Sequence, residues 1–226
     1  MTSSLVGSEM CIRDRFIFDM DGLLFNSERI VQRSWEMAGD ELGIPHMGDV
    51  IYHTLGMNRT GRNEYFRKYI REDFPFEEFG RLTRDNFWKI VDKEGLPLKK
   101  GVKELLAYGK AQGYKMAVAT SSSREYAMGN LIRAGIDSYF DSVVCGDMVK
   151  KAKPDPEIYQ KACESLGIQP EYCMAFEDAP GGILSAHQAG MHVIMVPDLV
   201  QPTQEIRELT YRAVSYTHLT LPTNSL

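Results

Sequence analysis

Cysteine is scarce in this chain. Cys11, Cys145, Cys163 and Cys173 form no CxxC pair and match no zinc spacing. A disulfide framework and a structural zinc site are therefore not what the sequence encodes, and the four are read as reduced cytosolic thiols. Long apolar runs are missing as well: none approaches the roughly 18 residues needed to span a membrane. The N-terminus lacks the apolar core and small-residue cleavage site of a signal peptide, so the chain is expected in the cytoplasm. Positive charge is not in excess either. The 26 basic and 31 acidic side chains leave a formal net charge of −5, which repels a polyphosphate backbone and argues against nucleic acid as a partner. An anionic ligand would have to find its positive charge locally.

What is present is ordinary globular composition, 43 % hydrophobic and 25 % charged, in 226 residues, which argues against a disordered chain. That length suffices for one full domain with an inserted subdomain, and a monomer is expected. Short apolar runs occur at Phe16–Phe18, Lys115–Ala119, Ser142–Cys145, Tyr172–Phe176 and His192–Val196, each ending at a polar or glycine-containing turn. Buried parallel strands read this way. Helical patterns at Gly101–Gln112, Arg124–Ala134 and Pro156–Leu166 separate them, which predicts a doubly wound α/β layer with a parallel, Rossmann-like sheet. Between Asp21 and Leu96 no strand pattern occurs, and stretches such as Arg29–Leu42 and Glu64–Ile70 carry apolar residues at helical spacing. An interval of about 70 residues is too long for a single βα crossover, so an inserted helical subdomain is expected. Residues 16–26 and 95–214 would form the α/β core and residues 27–94 the helical cap. The tails, residues 1–15 and 215–226, show no periodicity, resemble translated sequencing-adapter read-through, and are expected to be non-native.

The chemistry concentrates at the ends of the predicted strands. Phe16–Phe18 runs into Asp19-Met20-Asp21-Gly22. In extended chain, residues i and i+2 point to one side, so both carboxylates can face a pocket at the sheet edge where open α/β folds bind ligands. Close carboxylates repel unless a cation or shared proton offsets their charge, and Mg²⁺ with its preference for hard oxygen ligands is the simplest solution. An acidic turn explains a bare DxDG equally well. The second strand ends in Thr120-Ser121-Ser122-Ser123 before a helix, an anion site of hydroxyls and free N–H groups, although capping would account for some of these residues. After the third strand, Lys153 stands before Pro154-Asp155-Pro156, where it can place a point charge on a phosphate. Lys150 and Lys151 read as solvated loop lysines. The fourth strand ends in Glu177-Asp178, followed by Ala179-Pro180-Gly181-Gly182. Taken singly this pair is more often a helix N-terminal acid cluster, but with Asp19 and Asp21 it completes an oxygen-rich cation site.

These four elements, in this order, resemble the haloacid dehalogenase superfamily of phosphohydrolases, in the helical-cap branch that includes β-phosphoglucomutase and sugar-phosphate phosphatases. The resemblance runs from Phe16 to about Val214. It implies that Asp19 attacks phosphorus, that Asp21 protonates the leaving oxygen and then activates water, and that Thr120 and Lys153 hold the phosphate oxygens. Mg²⁺ would sit between Asp178, assisted by Glu177, the Asp19 carboxylate and the Asp21 backbone carbonyl. Ser121 and Ser122 would also face the substrate, a small phosphate ester. From the cap, Arg59 and Arg62 are the candidates to reach it, while Trp35, Phe66, Phe87 and Trp88 read as cap core. Hinges are expected near Phe25–Asn26 and Gly95–Pro97.

Asn26 stands where many relatives carry Asp, and Val31 falls where the mutase places a histidine that governs its general acid. The latter favours hydrolysis. A small-molecule phosphatase is thus the leading expectation, with a phosphomutase as the second enzyme reading. A phosphoacceptor or binding module of the receiver type is the reading from another class, and the long insertion speaks against it.

Overall fold

The computed structural model describes residues 15–54, 59–198, 201–210 and 212–213. The predicted tails and Cys11 lie outside these residues, with one correction: Arg15, assigned above to the tail, opens the first strand and pairs with Lys115. Strands β1 (Arg15–Phe18), β2 (Lys115–Ala119), β3 (Ser142–Val144), β4 (Met174–Glu177), β5 (His192–Met195) and the short β6 (Arg212–Ala213) form one parallel sheet in the order β3-β2-β1-β4-β5-β6.

Strands β1, β2, β4 and β5 are short because they are buried on both faces and stop where polar residues begin. Alternation divides the side chains between two cores. Phe16, Phe18, Met116, Val118 and Phe176 point to one face, where α5 (Val102–Ala111) and α6 (Arg124–Ala134) cover them. Ile17, Ala117, Ala119, Ala175 and Val193 point to the other, under α7 (Glu157–Leu166), α8 (Pro180–Gln188) and α9 (Gln204–Glu208). The first face is aromatic: Phe18 and Phe176 stack at 4.8 Å between centroids across the β1–β4 pair, and Phe16 meets Phe176 edge-on at 5.2 Å. The aromatic contact thus braces the two strands whose ends carry the acidic residues.

The chain moves outward from β1 to β2 and β3, then crosses back to β4 on the other side. Connections leaving β1 and β4 therefore diverge, which opens a crevice beyond their C-terminal ends. Between β1 and β2 lie α1 (Ser27–Glu41), α2 (Met47–Thr54), α3 (Arg59–Tyr69) and α4 (Phe76–Glu94). They enclose an apolar cluster of their own around Trp35, Phe66, Phe74, Phe79 and Leu82. Trp35 is edge-on to both Phe66 and Phe79, at 5.6 and 5.5 Å. The two chain crossings that join this unit to the sheet run side by side: the Asn26 N–H donates to the Pro97 carbonyl at 2.8 Å, and Phe25 bridges Leu98.

Two cap residues depart from expectation. Phe87 packs against the sheet-side core, and Trp88 is 42 % exposed. The apolar stripe of α4 turns along its length, so that Phe79 and Leu82 face the cap interior while Ile90 and Val91 face the main core. Phe87 and Trp88 fall at that turnover, on the side toward the cleft.

The two tryptophans therefore differ in role. Trp35→Ala should destabilise the protein by about 3–5 kcal/mol, measured by urea denaturation followed through Trp88 fluorescence. A loss below about 1 kcal/mol would show that the cap cluster does not hold α1 against its neighbours.

Candidate active site

In-register pairing of β1 with β4 sets Phe18 beside Phe176, so the next residues, Asp19 and Glu177, emerge side by side at the sheet edge. The Asp19 N–H donates to the Phe176 carbonyl at 3.0 Å, which extends the ladder to the acid itself. Asp178 follows, and one oxygen from each of Asp19, Glu177 and Asp178 lies within 4.8 Å of the others. All three residues are buried. Glycine is needed on both flanks of this cluster. Gly22, at φ 83°, has no room for a Cβ against the Asp178 carboxylate, and a Cβ on Gly182 would run into Glu177.

Lys153 answers this negative charge. Its ammonium donates to Asp19 Oδ1 and to Glu177 Oε1, both at 2.6 Å, and to the Ala119 carbonyl at 3.0 Å. The peptide that follows it, Lys153–Pro154, is cis. Tyr159 donates its hydroxyl to Glu177 Oε1 at 2.6 Å from the face below. Burial alone would lower the Lys153 pKa, but Asp19 and Glu177 outweigh it and hold the ammonium protonated above its ordinary range. Asp19 moves the other way from what an ion pair suggests. Desolvation, with Glu177 and Asp21 repelling, exceeds the pull of Lys153 and pushes it up to about 8. Desolvation, followed by the charges of Asp19, Glu177 and Glu28, raises Asp178 well above the carboxylate range. One lysine cannot neutralise three buried carboxylates, and the hard oxygen donors that remain are the kind a divalent cation such as Mg²⁺ accepts. Among the described residues no other cluster of potential metal ligands occurs.

Asp21 sits apart from this cluster, facing a cleft of about 340 Å³ between the sheet edge and the cap. Ser122 donates to Asp21 Oδ2 at 2.7 Å and Tyr126 to Oδ1 at 3.1 Å. Burial raises the Asp21 pKa, while the Ser122 and Tyr126 hydrogen bonds oppose the rise. Asn26 makes no side-chain cap on α1; Ser27 takes part in the loop instead, accepting from the Gly22 N–H at 3.0 Å. Thr120, 1 % exposed, accepts from the Ser122 N–H at 3.1 Å, so the TSSS turn is braced from within. Ser121 is exposed at its rim, and Ser123 caps α6 by accepting from the Tyr126 N–H.

The cap wall of the cleft holds Glu28, Val31, Arg84, Phe87 and Trp88. Val31, singled out in the sequence as standing in place of a histidine, thus does lie in the cleft with Asp21. Arg62 does not. It lines a separate cavity of about 580 Å³ inside the cap, its guanidinium 5.8 Å from the Trp35 ring centroid. As a cap cation it was a candidate, but the sequence says nothing about which way α3 faces. The side chain of Arg59 lies outside the described residues. Arg84, which the sequence reading passed over, is the cap cation on the cleft and also borders the inner cavity. Tyr126 was missed as well, and only its place one turn into the helix after TSSS hinted that it could point back to the sheet edge.

A carboxylate whose folded pKa is raised binds a proton in the folded state that the unfolded state has released. Its contribution to stability is therefore lost progressively as pH rises from near 3.8 to about 8, the window set by Asp19. A divalent cation held by the same carboxylates should offset that loss. The melting temperature is expected to rise more on adding Mg²⁺ at pH 8 than at pH 5, measured with and without chelator, and an equal rise at both would show that Mg²⁺ binds elsewhere.

Comparison with known proteins places this arrangement. The family described as Haloacid dehalogenase-like hydrolase matches residues 16–196. A phosphorylated carbohydrates phosphatase of Thermotoga maritima is 33 % identical over 178 residues, covering 79 % of this chain and 82 % of its own. A haloacid dehalogenase family hydrolase of Deinococcus radiodurans, solved with bound phosphate and sodium, superposes with a TM-score of 0.76 at 26 % identity, over 91 % of this chain and 93 % of that one. CbbY from Rhodobacter sphaeroides, solved with xylulose-(1,5)bisphosphate, gives a TM-score of 0.70 at 25 % identity, over 92 % and 96 %. The chain belongs to the haloacid dehalogenase-like hydrolase family.

Proposed function

We propose that this haloacid dehalogenase-like hydrolase is a Mg²⁺-dependent phosphatase that removes phosphate from small phosphomonoesters, sugar phosphates foremost, through an aspartyl-phosphate on Asp19. The observation that carries the reading is the division of labour between two carboxylates one residue apart. Asp19 is packed with Lys153, Glu177 and Asp178, whereas Asp21 faces the cleft on two hydroxyl donors.

In the first half-reaction an Asp19 carboxylate oxygen forms a bond to phosphorus as the bond to the leaving oxygen breaks. Asp21, whose pKa burial raises, gives its proton to that oxygen. In the second, water attacks the phosphoryl group, Asp21 takes the proton, and the Asp19–phosphorus bond breaks to release inorganic phosphate. Lys153 and the Thr120 hydroxyl, in the turn before α6, would hold the phosphoryl oxygens. Asp19, Asp178 and Glu177, with the Asp21 carbonyl, would hold Mg²⁺, which lowers the repulsion between a carboxylate nucleophile and an anionic ester.

The relatives support the substrate class, one being named for phosphorylated carbohydrates and another being solved with a sugar bisphosphate. Val31 in the cleft wall supports hydrolysis over the mutase reaction, because it supplies no basic group beside Asp21. Reduced thiols at Cys145, Cys163 and Cys173 fit a cytoplasmic setting, and no helix among the described residues is long and apolar enough to cross a membrane.

Phosphate release from a panel of sugar phosphates should require Mg²⁺, vanish in Asp19→Asn, and fall by a factor of about 10² to 10⁴ in kcat for Asp21→Asn. Activity that survives Asp19→Asn would rule out the aspartyl-phosphate route.

A further inference from the structure

Two hydroxyls of different standing donate to the Asp21 carboxylate, and Ser27 lies beside it as a further partner. Ser122 belongs to the turn that ends β2. Tyr126 stands one turn into α6, and its hydroxyl reaches back 3.1 Å to the other carboxylate oxygen. Burial and the Asp21 charge both keep that hydroxyl protonated, so it is a fixed donor. The ring behind the hydroxyl is not packed by the α/β core alone. Trp88 of α4 meets it edge-on, 5.4 Å between centroids at 72°, and Phe87 lies at 6.2 Å. A continuous line of contact therefore runs from the cap, through one aromatic ring, to the group that handles the proton.

We propose that Tyr126 is a positioning residue that sets the aim of Asp21 toward the leaving oxygen, and that Trp88 makes this aim depend on how the cap is seated. A carboxylate held at one oxygen can swing about that bond; a second donor on the other oxygen, mounted on a different element, removes the swing. Because the ring carrying that donor rests on α4, displacement of α4 moves the donor. The inference rests on the phosphatase reading of the site, since it concerns the proton delivered in phosphoryl transfer.

The test uses a series of substituted phenyl phosphates with nearly constant shape and varied leaving-group acidity. Their kcat/KM reports the transfer to Asp19. A poor leaving group needs the proton, while 4-nitrophenolate scarcely does. Tyr126→Phe keeps the ring on Trp88 and removes only the hydroxyl. It should lower kcat/KM about ten-fold for unsubstituted phenyl phosphate and less than about two-fold for 4-nitrophenyl phosphate, so that the dependence on leaving-group acidity steepens. The comparison is a ratio within one preparation, so an unfolded fraction cancels. Trp88→Leu should steepen the dependence in the wild-type background and add nothing to it in Tyr126→Phe. Equal losses across the series for Tyr126→Phe would overturn the positioning role while leaving the phosphatase reading intact. Further steepening by Trp88→Leu in the Tyr126→Phe background would overturn the link to the cap. If wild type turned over no member, or Asp19→Asn turned them over equally, both the inference and the reading beneath it would fall.

Discussion

Everything at the sheet edge depends on a surplus of negative charge that the fold buries. Register places Asp19 against Glu177, and the chain then adds Asp178. Like charges at this spacing and burial would drive the strand ends apart or take up protons. Lys153 restrains them by bonding two of the three at once, and it does so from the loop that joins β3 to α7. The restraint is partial, because one ammonium faces three buried carboxylates. A site built this way is under electrostatic tension that a cation relieves.

The rest of the architecture can be understood as support for that arrangement. The Phe18–Phe176 stack keeps β1 and β4 in register beneath the acids. The divergent connections of β1 and β4 leave the space above them open for the cap to cover. The glycines at 22 and 182 let backbone approach carboxylates that any side chain would displace. The different surroundings of Asp19 and Asp21 then follow from direction alone: one turns into the charged cluster, the other into the cleft.

Much of this was legible in the sequence, for a physical reason. Strands buried on both faces must be continuous apolar runs, and Lys115–Ala119 matched β2 residue for residue. Acids and hydroxyls placed directly after such runs lie at the sheet edge, whereas Lys153 reaches it from the longer loop after β3. What could not be read was direction on helices. Periodicity shows that Arg62, Arg84, Phe87, Trp88 and Tyr126 lie on helices, but the facing of a helix is decided by tertiary packing, which a local pattern does not contain. Arg62 faces the interior of the cap and Arg84 the cleft for that reason. Arg15 was misassigned because a charged residue at a strand start looks like the end of a tail.

The paired crossings at Asn26–Pro97 and Phe25–Leu98 carry a further consequence. A segment that leaves and re-enters the sheet at one point is, to the sheet, a loop already closed, whatever its length or contents. The helical unit can therefore be exchanged, lengthened or reshaped without disturbing strand register or the acids that register aligns. Changes in this cassette reach the sheet edge instead through side chains that cross the cleft, as Trp88 does against Tyr126.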